Sequence, residues 1–284
     1  GPGSVATVDR IDFSNDSGTA SPRGPLSAGR GYLAATGNSN YGWFGGGGPG
    51  SVATVDRIDF SNDSGMTIQR GPLNSAKNSL AATGNSNYGW FAGGGLGRTS
   101  SVNRIDFSND LTTASVRGLL SSPRSEQAAT GNSNYGWFGG GSPGSISTVD
   151  RIDFSNDIAS VSVRGPLSLA RNSLAATSGQ ARSSSTRLQK AGNFGWFGGG
   201  YTPGPTTRID RIDFSNDSAT ASIRGSFIPF RSGLAATGNS NYGWFGGGFP
   251  GPVIKVERID FSNDLAATSP RGPLSKGRNS LAAT

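Results

Sequence analysis

Six copies of one heptapeptide, Arg-Ile-Asp-Phe-Ser-Asn-Asp, place the same arginine and carboxylates at regular positions along the chain. In an extended strand the first arginine and first aspartate of each copy share a face. These pairs are Arg10 with Asp12, Arg57 with Asp59, Arg104 with Asp106, Arg151 with Asp153, Arg211 with Asp213 and Arg258 with Asp260. Arranged around an axis they could line a channel, and their carboxylates could serve a hydrolase. Acid–base catalysis, however, needs groups whose pKa values are pushed apart, and here the same residues recur. The 284-residue chain also has no histidine and no cysteine, which removes the commonest general base, the commonest metal ligand and all thiol chemistry. A structural use is expected instead. Buried charges must be paired, so these residues read as Arg–Asp bridges that fix the register of neighbouring sheets. No catalytic residue and no cofactor is expected.

Other candidates divide in the same way. The Ser-Asn-Asp end of the motif offers oxygen ligands, but one carboxylate per copy is too few for calcium, and turn formation accounts for it. Trp43, Trp90, Trp137, Trp196 and Trp244 recur at one strand position. They could stack on sugars, as in a multivalent lectin, or pack between sheets. The glycine clusters lack the lysine and the helix of a phosphate loop. Two features break the repeat. An insertion at residues 178–190 carries Arg182, Arg187 and Lys190, which could bind a partner or be tolerated surface. Phe227-Ile228-Pro229-Phe230 makes an apolar bump where other repeats are more polar.

The elements that position these residues follow from a period. Successive motifs are 47, 47, 47, 60 and 47 residues apart, which marks a repeat architecture. One period reads as four strands. Leu33-Ala34-Ala35-Thr36 is short and made largely of small residues. The turn Gly37-Asn38-Ser39-Asn40 leads to the aromatic Tyr41-Gly42-Trp43-Phe44. A glycine-rich loop leads to the alternating stretch 51–60, and Thr67-Ile68-Gln69-Arg70 ends the unit before Gly71-Pro72. No helical period is sustained, so the class is all-β. Small antiparallel sheets cannot bury both faces alone, and a radial arrangement covers them. The whole of residues 1–284 therefore reads as a single β-propeller domain.

Composition narrows the partners. There is no apolar run long enough to span a membrane as a helix, and no leader is visible at the N-terminus. The net charge of +7 comes from bases outside the repeat, since repeated charges nearly cancel. Such a field favours anionic partners only weakly, and no specific nucleic-acid binding is expected.

The order of small-residue strand, turn, aromatic strand, glycine cluster, loop and acidic strand, then Pro-Leu and an Arg before the next small-residue strand, resembles the kelch repeat. That resemblance implies a kelch-type β-propeller. Kelch repeats usually carry a tryptophan after the acidic strand, whereas here the tryptophans precede the glycines. The near-identical repeats are also similar to those of marine phage and metagenomic proteins, which implies a virion-associated or extracellular setting. Six motif strands and six Leu-Ala-Ala-Thr-like strands favour six four-stranded blades over five with loose ends. The sixth blade would be built from both termini and would lack its aromatic strand. It would then keep a gap, take a strand from a partner, or belong to a longer array. The expected role is a non-enzymatic structural or recognition module for protein or glycan, with homo-oligomer or virion assembly open to it.

Overall fold

The computed structural model describes residues 4–179 and 193–284, so Arg182, Arg187, Lys190 and nearly all of the 178–190 insertion lie outside the described residues. Among the described residues there is no helix, and therefore none long and apolar enough to cross a membrane. The chain opens with a two-stranded ribbon, β1 (Val8–Arg10) paired antiparallel with β2 (Ser21–Arg23). Blade 1 follows as β3 (Ala34–Gly37), β4 (Tyr41–Gly45), β5 (Val55–Asp59) and β6 (Ile68–Arg70), hydrogen-bonded in chain order. Blades 2 to 5 repeat it over residues 81–124, 128–164, 175–226 and 235–271.

Local chemistry sets the turns. Asn38 Oδ1 accepts the amides of Asn40 (2.9 Å) and Tyr41 (3.0 Å), closing the hairpin into β4. Asp59 Oδ1 accepts both the amide (2.9 Å) and the hydroxyl (2.6 Å) of Ser61, closing the turn after β5. These bonds favour the ionised form, so the Asp59 carboxyl is held below its usual range.

The blades lean on one another closely. Thr36 on β3 packs into blade 2 so tightly that a Cβ on Gly89 would lie 2.5 Å from the threonine methyl. Thr83 sits in the same way against Gly136 of blade 3. Near the axis a closed ring of backbone hydrogen bonds runs through six residues. Ser79 donates to Tyr32, Glu126 to Ser79, Ser173 to Glu126, Gly233 to Ser173, Ser280 to Gly233, and Tyr32 to Ser280, all at 2.7–2.9 Å. All six hold φ between 52° and 62°, a left-handed conformation that only glycine adopts freely.

Six blades were expected, and the structure has five. The remaining sector contains β1, β2 and residues 281–284, which form no four-stranded sheet. The reason lies in the pairing. In every complete blade the first and third strands bond only through the aromatic strand between them. The chain has five Gly-Trp-Phe strands, and all five are used.

An ion pair of one kind supports five of the six junctions. The base after the Gly-Pro turn, or after its counterpart, reaches the acid that precedes the motif arginine on the next blade. The pairs are Arg30–Asp56 (2.7 Å), Arg124–Asp150 (2.9 Å), Arg171–Asp210 (3.1 Å) and Arg231–Glu257 (2.6 Å). Arg278–Asp9 (2.7 Å) does the same for β1. Burial lowers the pKa of Arg30, Arg124, Arg171 and Arg231, that of Arg171 to about 10, against the pull of the paired carboxylate. Blade 2 departs from the pattern, with Asn103 in the acid's place and Lys77 in the arginine's. Lys77 Nζ turns to the Ser101 hydroxyl (2.5 Å) and carbonyl (3.2 Å), and burial without a counter-charge pushes its pKa down to about 8.

Three outcomes are expected in urea unfolding. Asp150→Asn strands the Arg124 charge and should cost about 3–5 kcal/mol, whereas Asp153→Asn, in an exposed turn, should leave the midpoint near wild type. Gly118→Ala should be severely destabilising, because its Cβ would overlap the Ala159 carbonyl of the next blade. For Lys77 the folded pKa lies below the unfolded one, so the unfolded state binds more protons between about pH 8 and pH 10.5. Stability relative to Lys77→Met should therefore rise across that window, by up to roughly 3 kcal/mol. A flat difference would show that burial does not lower the amine's pKa.

Candidate functional site

The last aspartate of each motif organises the contact between blades. Asp217 accepts the indole N–H of Trp137 at 2.8 Å and a guanidinium N–H of Arg151 at 3.1 Å, and Arg164 approaches to 3.6 Å. The Trp137 ring stacks on Phe214 at 3.9 Å, with an interplanar angle of 10°. Arg151 in turn lies 4.3 Å over the ring of Tyr135. Trp43, Trp90 and Trp196 meet Asp110, Asp157 and Asp264 in the same way, and Trp244 meets Asp16.

This arrangement reassigns the motif's charges. The bridge from Arg10, Arg57, Arg104, Arg151, Arg211 and Arg258 does reach a neighbouring blade, but its acid is the last motif aspartate. The first aspartates, Asp12, Asp59, Asp106, Asp153, Asp213 and Asp260, each bind the serine two residues on. A short carboxylate at a strand end finds local amides before it can reach across a junction. The tryptophans are likewise no sugar platform. All five are 0–1% exposed, with one ring face taken by phenylalanine. Phe227 of the apolar bump is buried against Phe245, while Ile228 and Phe230 are exposed.

One sector stays open. Residues 281–284 take the innermost position there. Thr284 packs on Gly37 and Gly42 as Thr36 packs on Gly84 and Gly89, and its carbonyl accepts the Thr237 hydroxyl at 3.3 Å. β1 and β2 take the outer two positions. Between them lies a cavity of about 290 Å³, lined by Phe44, Ile58, Phe60, Leu33 and Trp244, with Asp63 and Arg10 at its polar end.

Its walls are the halves of contacts that are complete at every other junction. Asp63 accepts Arg10 at 2.9 Å and Arg23 approaches to 3.2 Å, but among the described residues no indole reaches it. Phe60 has no ring stacked on it among the described residues. The Arg10 side chain is 54% exposed, against 19–22% for its five counterparts, which are covered by Tyr or Phe. Gly45, Gly139 and Gly198 each face a phenylalanine of the next blade, 2.7–2.9 Å from where a Cβ would stand. Gly246, at the cavity wall, has nothing nearer than 3.6 Å, and that atom belongs to its own blade.

Sequence reasoning found the odd strand count but not this pocket. The signal was present, because Phe60 and Asp63 are motif residues with no tryptophan assigned to them. No protein-family model matches the chain, and no curated protein matches it. The β-propeller is shown by the coordinates, while neither the kelch likeness nor the phage likeness gains support from a relative.

The open sector makes one stability contrast. Phe214→Ala removes a stacked, half-buried ring and should cost about 3 kcal/mol. Phe60→Ala, the same motif position beside the cavity, should cost about 1 kcal/mol or less. Equal shifts in unfolding midpoint would show that Phe60 is packed as fully as its counterparts.

Proposed function

We propose that this propeller is a non-enzymatic recognition module that takes an extended polypeptide segment into the open sector. The observation that carries the reading is the groove itself, apolar along its walls and charged at one end, between two backbone edges that complete blades join through a middle strand. An extended segment fits such a site by adding a strand, with main-chain bonds giving affinity and side-chain pockets giving choice. The state of the carboxylates supports the non-enzymatic half. All 18 acids are engaged: each lies in an ion pair, on a neighbouring serine of its turn or, for Glu126, on Ser173. A hydrolase needs carboxylates that are free to exchange protons.

Selection from a displayed peptide library tests this. The intact chain should enrich extended peptides, and Gly246→Leu, which fills the groove where a Cβ has room, should not. Enrichment of the same peptides by both proteins, or of none, would overturn the assignment to this sector. Turnover of glycoside or ester substrates that disappears on changing motif aspartates to asparagine would overturn the non-enzymatic reading.

A further inference from the structure

The chain contains five worked examples of what fills this groove, and they specify its occupant residue by residue. In blade 1, Trp43 on β4 lies opposite Thr36 and Arg57, Phe44 opposite Ala35 and Asp56, and Gly45 opposite Ala34 and Val55. The equivalent positions in the open sector are Thr284 with Arg10, Ala283 with Asp9, and Ala282 with Val8. We infer that the sector is selective for one extended polypeptide segment with the pattern aromatic-Gly-Trp-Phe-Gly, inserted antiparallel between residues 281–284 and β1. The inference rests on reading the open sector as the binding site, and it names the segment's chemistry.

Each incomplete contact then acquires its missing half. The incoming tryptophan stacks on Phe60 and donates its indole N–H to Asp63, as Trp43 does with Phe107 and Asp110 at 3.8 Å and 2.9 Å. The aromatic residue two before it covers the guanidinium of Arg10, as Tyr41 covers Arg57 at 4.2 Å. The following phenylalanine enters the space over Gly246, as Phe91 sits over Gly45. The closing glycine leaves room for Phe44. Glycine between the two aromatics is required because Thr237 of blade 5 would face it, as Thr36 of blade 1 faces Gly89 of blade 2, where no Cβ fits. Recognition of this kind selects for sequence as well as for apolar character. It demands one indole donor, one phenylalanine and glycine on both sides of the Trp-Phe pair.

The test uses the intact chain and a fluorescein-labelled peptide, Gly-Asn-Ser-Asn-Tyr-Gly-Trp-Phe-Gly-Gly-Gly, copied from residues 37–47. Fluorescence anisotropy should give saturable one-to-one binding, with new hydrogen-exchange protection at residues 8–11 and 281–284. Replacing the peptide's tryptophan by alanine should weaken binding about tenfold or more, and Asp63→Asn in the protein should weaken it in the same direction. The peptide variant decides the matter even if the protein variant folds poorly. Absence of saturable binding, or equal binding of the tryptophan-free peptide, would overturn the inference. So would a dimer by light scattering that the peptide fails to dissociate, since the groove would then belong to a second copy. Library selection that enriches groove-binding peptides of another pattern would sink this inference while leaving the recognition module standing.

Discussion

One largely buried carboxylate per junction, the last of each motif, sets the geometry of the ring. It gathers an indole N–H and two arginines on one small acceptor, and the donors come from the neighbouring blade. At Asp217 these are Trp137, Arg151 and Arg164. Taking such charges out of water is costly, and a well-packed apolar junction could match the stability. What the cluster supplies is register. The indole, the guanidinium and the aromatic ring beneath it can meet the carboxylate at only one height and one tilt, so adjacent sheets cannot slide. The second ion pair, typified by Arg124–Asp150, pins the same junction at another point, and two fixed points define an orientation.

Close backbone approach turns that orientation into a rigid ring. Gly118 and its counterparts touch carbonyls of the next blade, and the inner threonines leave no room for a Cβ on the facing glycines. The hydrogen-bonded loop through Tyr32, Ser79, Glu126, Ser173, Gly233 and Ser280 closes around six positions although only five blades are complete. The open sector is therefore held to the width of a blade by both of its neighbours. A preformed groove of this kind costs little reorganisation when a segment enters it.

Much of this was legible in the sequence. The 47-residue period, the alternation of residues 51–60 and the glycine after each aromatic strand required small antiparallel sheets packed radially, and the coordinates have them. The acids' division of labour was not legible. Asp59 and Asp63 sit four residues apart in the same turn, and composition gives each an equal claim on an arginine. Only the direction of the chain at the end of β5 sends one carboxylate back to Ser61 and the other to the neighbouring blade. The tryptophans' burial was hidden for a similar reason, since a strand pattern shows which face a residue takes but not what covers it. The blade count failed because motif strands were counted as though each implied a sheet. A sheet also needs the strand through which the others bond, and β1 and residues 281–284 have the flanking strands without the middle one.

The edges left by that shortfall differ from the outer edge of the same sector. An open strand edge is a template for any passing chain, and proteins commonly blunt it with proline or charge. The outer edge of the incomplete sector is blunted in this way: β2 reads Ser21-Pro22-Arg23, and the matching outer strand of blade 5 reads Ser269-Pro270-Arg271. The two edges that face the groove, Val8-Asp9-Arg10 and Leu281-Ala282-Ala283-Thr284, contain no proline. Their side chains are those that flank an aromatic strand everywhere else in the chain. An edge without proline, at blade width, beside an unstacked phenylalanine and a carboxylate that lacks the indole its counterparts hold, has the features of an acceptor. The same contacts that lock five junctions shut thus define, at the sixth, what can enter.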